Sequence, residues 1–326
     1  MNKIMSSDTR LGYKLFISLL AFLYSLALVF IIPIDAVMDR ANYLIYASDS
    51  ELIFARYFFS GFLSILTNEP VWLILNVFLN IFFTAENVVF IVIFFSSFVS
   101  SYLVLKSNPK YFLFLLFILF VPQIVSKYIV HLRQGLAISF FLIGWSLTNT
   151  KWRFLYFFIT PFIHSSFFFV LFLYFFTEIS FKLKLARDIR GVLVVFLGLS
   201  LGLGLGYVAN LVGARQANEY NFSSTNISGL GFIFWFGVFS LYWFQGRGFV
   251  RKHAFSISAL IFYLSTYFLI EVTGRIFESM IIFVLLASLD LTAWRRKAFI
   301  FALFLYVVLT WLPKINQPWL GWGVAV

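Results

Sequence analysis

YFLFLLFILFVPQIVSKYIVHLRQGLAISFFLIGW, residues 111–145, decides how the chain is read. Two apolar runs meet there at a polar joint made of Lys127, His131, Arg133 and Gln134. A cation embedded in such a run costs roughly several kcal/mol unless it faces protein, water or an anion. Tyr111 to Val130 therefore reads as one membrane crossing, bent at Pro122, where the ring removes a backbone donor. Leu136 to Asn149 reads as the return, so that His131 and Arg133 are delivered to one membrane face.

Working outward, the whole chain repeats this pattern. Its 326 residues are 62% hydrophobic and 11% charged, with a mean hydropathy of +0.96, which excludes a soluble fold and makes the lipid bilayer the first expected partner. The class is all-α and polytopic. Barrel strands would alternate polar and apolar residues, whereas here unbroken apolar runs recur. No cysteine is present, so disulfide and thiolate chemistry are excluded. The first apolar run lacks a small-residue cleavage site and reads as a retained helix. A net charge of +11 raises the question of nucleic acid, but the cations cluster in loops between apolar runs, so no nucleic-acid partner is expected.

The basic clusters set the sidedness. Lys3, Arg10 and Lys14 place the N-terminus in the cytoplasm, and Tyr13 to Pro33 exits. Residues 34–86 form an external region whose apolar segments, Leu52 to Leu66 and Val71 to Phe83, are shorter than the roughly 20 residues a crossing needs. They are predicted as a re-entrant hairpin turning at Thr67 to Pro70. Asn87 to Leu105 runs inward. Phe154 to Phe176 is flanked by cytoplasmic cations at both ends, which predicts a second broken hairpin with Pro161 and His164 at its tip. Gly191 to Val212 leads outward, its glycines from Gly198 to Gly206 permitting close packing, into an external loop at 213–229 that carries Arg215, Glu219 and Tyr220. Leu230 to Gln245, Ala254 to Ile270, Ile276 to Leu291 and Ala298 to Leu312 complete the set. The expectation is a single membrane domain over residues 1–326 with about 10–12 transmembrane or re-entrant helices.

On this topology the outer cations are Arg40, Arg56, Lys127, Arg133, Arg215, Arg275 and Lys314, five of them arginine. A guanidinium fork matches phosphate oxygens bidentately and stays charged at physiological pH, so the bias points to a phosphate-bearing ligand. The plainer reading pairs each with an external carboxylate such as Asp39, Glu69, Glu219 or Glu271. Asp49-Ser50-Glu51 reads as a solvated turn, His131 and His253 as interfacial residues, and no metal-ligand spacing is found.

In chain order there follow Asp39-Arg40-x-x-Tyr43, Glu69-Pro70 before an apolar helix, Arg133-Gln134-Gly135-x-Ala137, His164-Ser165 after an apolar run, and a late membrane-edge Arg275. Over roughly Asp35 to Glu278 this order resembles the EpsG family of Wzy-like bacterial surface-polysaccharide polymerases. The resemblance implies a GT-C-like membrane glycosyltransferase without a cofactor. It would join undecaprenyl-pyrophosphate-linked repeat units at the outer face of the inner membrane, with a chain-length regulator as a possible partner.

The residues supply a matching chemistry. When a sugar hydroxyl attacks an anomeric carbon, a lipid pyrophosphate departs and gathers negative charge, which fixed cations in a water-poor site stabilise. Arg133, Arg275 and Arg40 are the candidates for that role. His164, Glu69 or Asp39 would accept the hydroxyl proton, and Tyr43, Gln134, Arg215, Tyr220 and Glu271 would contact the substrate. Arg133, His164 and Arg275 are expected to share one pocket. Each has a bland alternative: Arg133 as an interfacial anchor, His164 as a helix-breaking residue, Glu69-Pro70 as an ordinary helix start, and Glu271, Arg275 and Glu278 as a self-satisfied helix face. A flippase for lipid-linked oligosaccharide would want the same cations, and a ligase or membrane acyltransferase would share the outward site.

Overall fold

A computed structural model describes residues 7–211, 229–269 and 272–323; in residues 7–10, 202–203, 205–206 and 208–211 it describes the backbone alone. Among the described residues the elements are helices, with one isolated antiparallel bridge between Val37 and Gly323. The protein is an all-α polytopic membrane protein. Among the described residues three helices are long and apolar enough to cross a bilayer: α1 (Ser7–Phe30, apolar from Leu11), α5 (Ala85–Ser107) and α17 (Ala293–Ile315). A fourth candidate is the bent pair α6 (Phe112–Ile118) and α7 (Pro122–Ile129), broken by 69°. The break falls at Pro122, which opens α7 where its missing N–H is no loss.

The chain forms two compact units. The first comprises Met1–Ala55, Val71–His164 and Pro313–Val326, and the second Arg56–Pro70 and Ser165–Leu312. In the first unit α1 packs along α5, which in turn packs on α8 (Leu132–Ser146), and α8 packs on α9 (Thr150–Ile163). Backbone carbonyls left over at helix ends are satisfied from neighbouring helices. Tyr13 donates to the Leu105 carbonyl at 2.9 Å and Tyr24 to that of Leu119 at 2.8 Å. Gly144 lets α8 and α9 meet closely, since a Cβ there would lie 2.8 Å from the Phe157 ring.

In the second unit the buried centre is α14 (Ala254–Thr266). Around it pack α10 (Ser166–Lys182), α11 (Arg187–Leu211), α12 (Leu230–Trp243), α15 (Thr273–Glu278) and α16 (Ile281–Ala287). Side-chain hydroxyls tie these helices by bonding free carbonyls and one another. Tyr242 reaches the Val284 carbonyl at 2.6 Å, Ser256 that of Phe283 at 2.9 Å, and Thr177 the Ser258 hydroxyl at 3.2 Å. Of the glycine series in α11, Gly198 faces Ser265 and Thr266 closely, while Gly204 has open space around it.

Several expectations need correction. The apolar arm Leu52 to Leu66 is not one helix. α2 (Arg40–Phe59) begins twelve residues earlier, and the chain breaks at Gly61, whose φ of +113° suits glycine alone, before α3 (Phe62–Thr67). Asp49, Ser50 and Glu51 are therefore helical, not a turn, with Asp49 and Glu51 exposed and Ser50 buried. The break ahead of α4 (Pro70–Asn80) falls at Asn68 and Glu69, inside the Thr67 to Pro70 segment where a turn is expected. Arg133 and Gln134 lie within the first turn of α8, not before it. Helix α9 includes Pro161, and the break comes at His164 and Ser165. Ile276 to Leu291 divides into α15 and α16 at Ser279 and Met280.

Candidate functional site

The first unit gathers its polar residues around the start of α2 and the joint between α7 and α8. Asp39 precedes α2 with a φ of +63°, and its carbonyl accepts the Tyr43 N–H at 3.1 Å, so Asp39, Arg40 and Tyr43 occupy one helical turn. A spacing of four puts Asp39 and Tyr43 on one face where the segment is helical, as it is from Arg40 onward.

Arg40 is 3% exposed. One Nη2 hydrogen goes to the Ile129 carbonyl at 2.9 Å, while Nε and Nη1 are buried with no hydrogen-bond partner. Burial pushes this guanidinium down to about 10, against a raising effect from Tyr43, so it remains charged at physiological pH. An uncompensated buried cation with free donors is costly, and the ligand that relieves such a cost is an anion.

Tyr43 links the rest. Its ring meets Trp72 edge-on at 5.9 Å, and the half-buried Arg133 guanidinium stands 5.9 Å from the Tyr43 ring centre and 5.1 Å from that of Tyr46. Trp72 is 1% exposed, and its indole N–H is buried without a partner. Lys127, also buried, donates to the Gln134 side-chain oxygen at 3.0 Å. His131 Nδ1 lies 3.9 Å from the half-exposed Asp39 carboxylate, so an anionic group faces it. Gly135 holds α8 against α7, because a Cβ there would overlap the Lys127 carbonyl. The environment is cationic, rich in N–H donors and aromatic, with Asp39 as the carboxylate facing His131.

The second unit holds two further candidates. Glu69, 3% exposed with a φ of +59°, accepts the Ser165 N–H at 3.1 Å across 96 residues of sequence. This carboxylate thus secures the start of α10, a role the reading as an ordinary start of α4 did not contain. Next to it in sequence Ser166 bonds Ser279 at 3.1 Å, tying α10 to the end of α15. Arg275 is exposed on α15, where its carbonyl accepts from Ser279 at 3.3 Å. His164 ends α9 in the first unit, half-buried and extended, its N–H bonded to the Thr160 carbonyl. Arg215, Tyr220 and Glu271, with most of the loop at 213–229, lie outside the described residues.

Asp39, Arg40, Tyr43, Arg133 and Gln134 are thus brought to one neighbourhood of the first unit. Trp72 and Tyr46 join them although the sequence reading passed them over, and His131, which that reading set beside Arg133 at the polar joint, joins them too. Trp72 and Tyr46 carried no signal beyond being two of the chain's many aromatics, whereas His131, two residues from Arg133, did. No curated protein and no solved structure matches the chain. A family model does, over residues 15–317. That span takes in nearly every residue just described, and by it the chain belongs to the EpsG family, as a membrane protein of polysaccharide-polymerase type.

Proposed function

We propose that this protein extends a polysaccharide by joining repeat units carried on undecaprenyl pyrophosphate, and that the Arg40 and Arg133 neighbourhood grips the diphosphate. The observation that carries this reading is Arg40, a buried guanidinium with two donor positions unoccupied. A sugar hydroxyl of the acceptor attacks the anomeric carbon of the donor. The new glycosidic bond forms as the carbon–oxygen bond to the pyrophosphate breaks, and the hydroxyl proton passes to a base. Asp39, half-exposed and backed by His131, is the carboxylate of this neighbourhood and takes that proton. Arg40, Arg133 and the Trp72 N–H receive the charge that grows on the departing undecaprenyl pyrophosphate. Tyr43 and Tyr46 hold Arg133 in place through their ring faces, and Gln134 does the same for Lys127.

The reading carries with it a GT-C-like architecture, chemistry by protein cations in place of a metal, and a location in the bacterial inner membrane with the N-terminus cytoplasmic and the site facing outward. It leaves room for a chain-length regulator as partner and none for nucleic acid. Purified protein in a bilayer, given synthetic undecaprenyl-pyrophosphate repeat units, should yield a ladder of products. Arg133→Ala should lower that rate by about a hundredfold or more while the protein stays in the membrane. Undiminished laddering would remove Arg133 from the reaction. Substrate that crosses the bilayer chemically unchanged would instead identify a carrier.

A further inference from the structure

The second unit carries a basic cluster that the polymerase reading does not use. Arg190, in the first turn of α11, lies with its guanidinium carbon 4.0 Å from the Phe181 ring centre. Its Nη1 is buried and has no hydrogen-bond partner. Arg251 lies on α13 (Arg247–Lys252), the short helix that packs against α11, which carries Arg190. Both neighbouring carboxylates are engaged elsewhere: Asp188 holds Arg187 at 3.0 Å, and Asp290 holds Lys252 and His253, each at 2.7 Å. Arg187 stands 4.3 Å from the Trp243 ring centre. Two cations are therefore held near each other with a donor left over, an arrangement that folding alone disfavours and a shared anion would stabilise.

We propose that Arg190 and Arg251 bind the phosphate of an anionic phospholipid on the face the sequence reads as cytoplasmic. Charge complementarity selects the headgroup. The acyl chains have a matching surface, because Leu183, Ile189, Val192 and Phe196, on and beside the same helix, are all exposed and apolar. Basic residues at such helix ends recognise anionic lipid through direct phosphate contacts added to a general surface attraction.

The test uses full-length detergent-purified protein and native mass spectrometry with phosphatidylglycerol, with phosphatidylcholine, and with inorganic phosphate. The expected result is retention of phosphatidylglycerol over phosphatidylcholine, and no stable adduct of free phosphate. Removing either arginine, as Arg190→Ala or Arg251→Ala, should weaken the phosphatidylglycerol adduct roughly fivefold. Lys184→Ala, which removes an exposed cation beyond α10, should leave it unchanged. If Arg190→Ala does not fold, the exposed Arg251 carries the test alone. Equal retention of the two lipids, a phosphate adduct of the same strength, or an equal loss with Lys184→Ala would each overturn the proposal.

Discussion

A methyl group on Gly135 would overlap the Lys127 carbonyl oxygen and press on the Tyr128 ring, 3.1 Å away. The obstructing atom is backbone in a buried helix, so relief requires α7 and α8 to move apart, which costs about 1–3 kcal/mol. Gly135→Ala should therefore lower the unfolding temperature of the purified protein. It should also reduce chain extension, because the same shift pulls Gln134 from Lys127 and moves Arg133 off the Tyr43 and Tyr46 rings. Unchanged thermal unfolding would show that the helices tolerate the methyl group. At this scale the sequence was informative about charge and poor about aromatics. Arg40 and Arg133 stood out because a cation in an apolar chain needs a reason, whereas Trp72, one of 9 tryptophans, could not be told from packing.

The helices themselves were legible to the extent that length and punctuation determine them. Pro122 and the His164–Ser165 break were readable because a proline or a polar pair interrupts an apolar run, and Asn149 and Thr84 cap α9 and α5 with side-chain oxygens as such residues do. Misplaced boundaries arose where hydropathy was read in place of helix signals: α2 contains polar residues from Asn42 to Glu51 and is nonetheless continuous. The joint between α13 and α14 makes the same point with a measurable consequence. His253 ends one helix and starts the next, and its Nε2 lies 2.7 Å from Asp290 Oδ2, which Lys252 also contacts. Burial pushes the imidazole below its ordinary value, helped by Lys252 and against Asp290, so the folded protein holds it neutral more readily than the unfolded chain does. The resulting stability is fully present above the unfolded value near 6.5 and is lost as pH falls through the lower folded value. The unfolding temperature should accordingly drop between pH 7.5 and pH 5, and His253→Gln should show a smaller drop. Equal drops in both proteins would clear His253 of any part in the pH dependence.

On the scale of the whole molecule, sequence reading fails at pairings between distant segments, since nothing local announces them. Asp39 and Arg40 are held from the far end of the chain: the Met38 N–H bonds the Trp322 carbonyl at 2.8 Å, and Val37 pairs with Gly323. The Lys314 ammonium stands 4.9 Å from the Trp322 ring centre, and Trp322 is itself buried. This segment turns sharply, with Trp319, Leu320 and Gly321 all at positive φ, a conformation that persists only where surrounding contacts impose it. It follows that the last residues position the start of α2, and that Arg40 depends on them for its place beside the Ile129 carbonyl. Deleting residues 318–326 should leave the protein in the membrane, because the apolar helices that hold it there lie upstream. Chain extension should fall by roughly tenfold to a hundredfold, the range that a displacement of about 1 Å in a positioning group produces. Trp322→Ala, which keeps the backbone pairing while removing the ring, should lie between the deletion and the full-length protein. If the deleted protein extends chains at the full rate, Arg40 is held by its own helix and the distant pairing is incidental to the reaction.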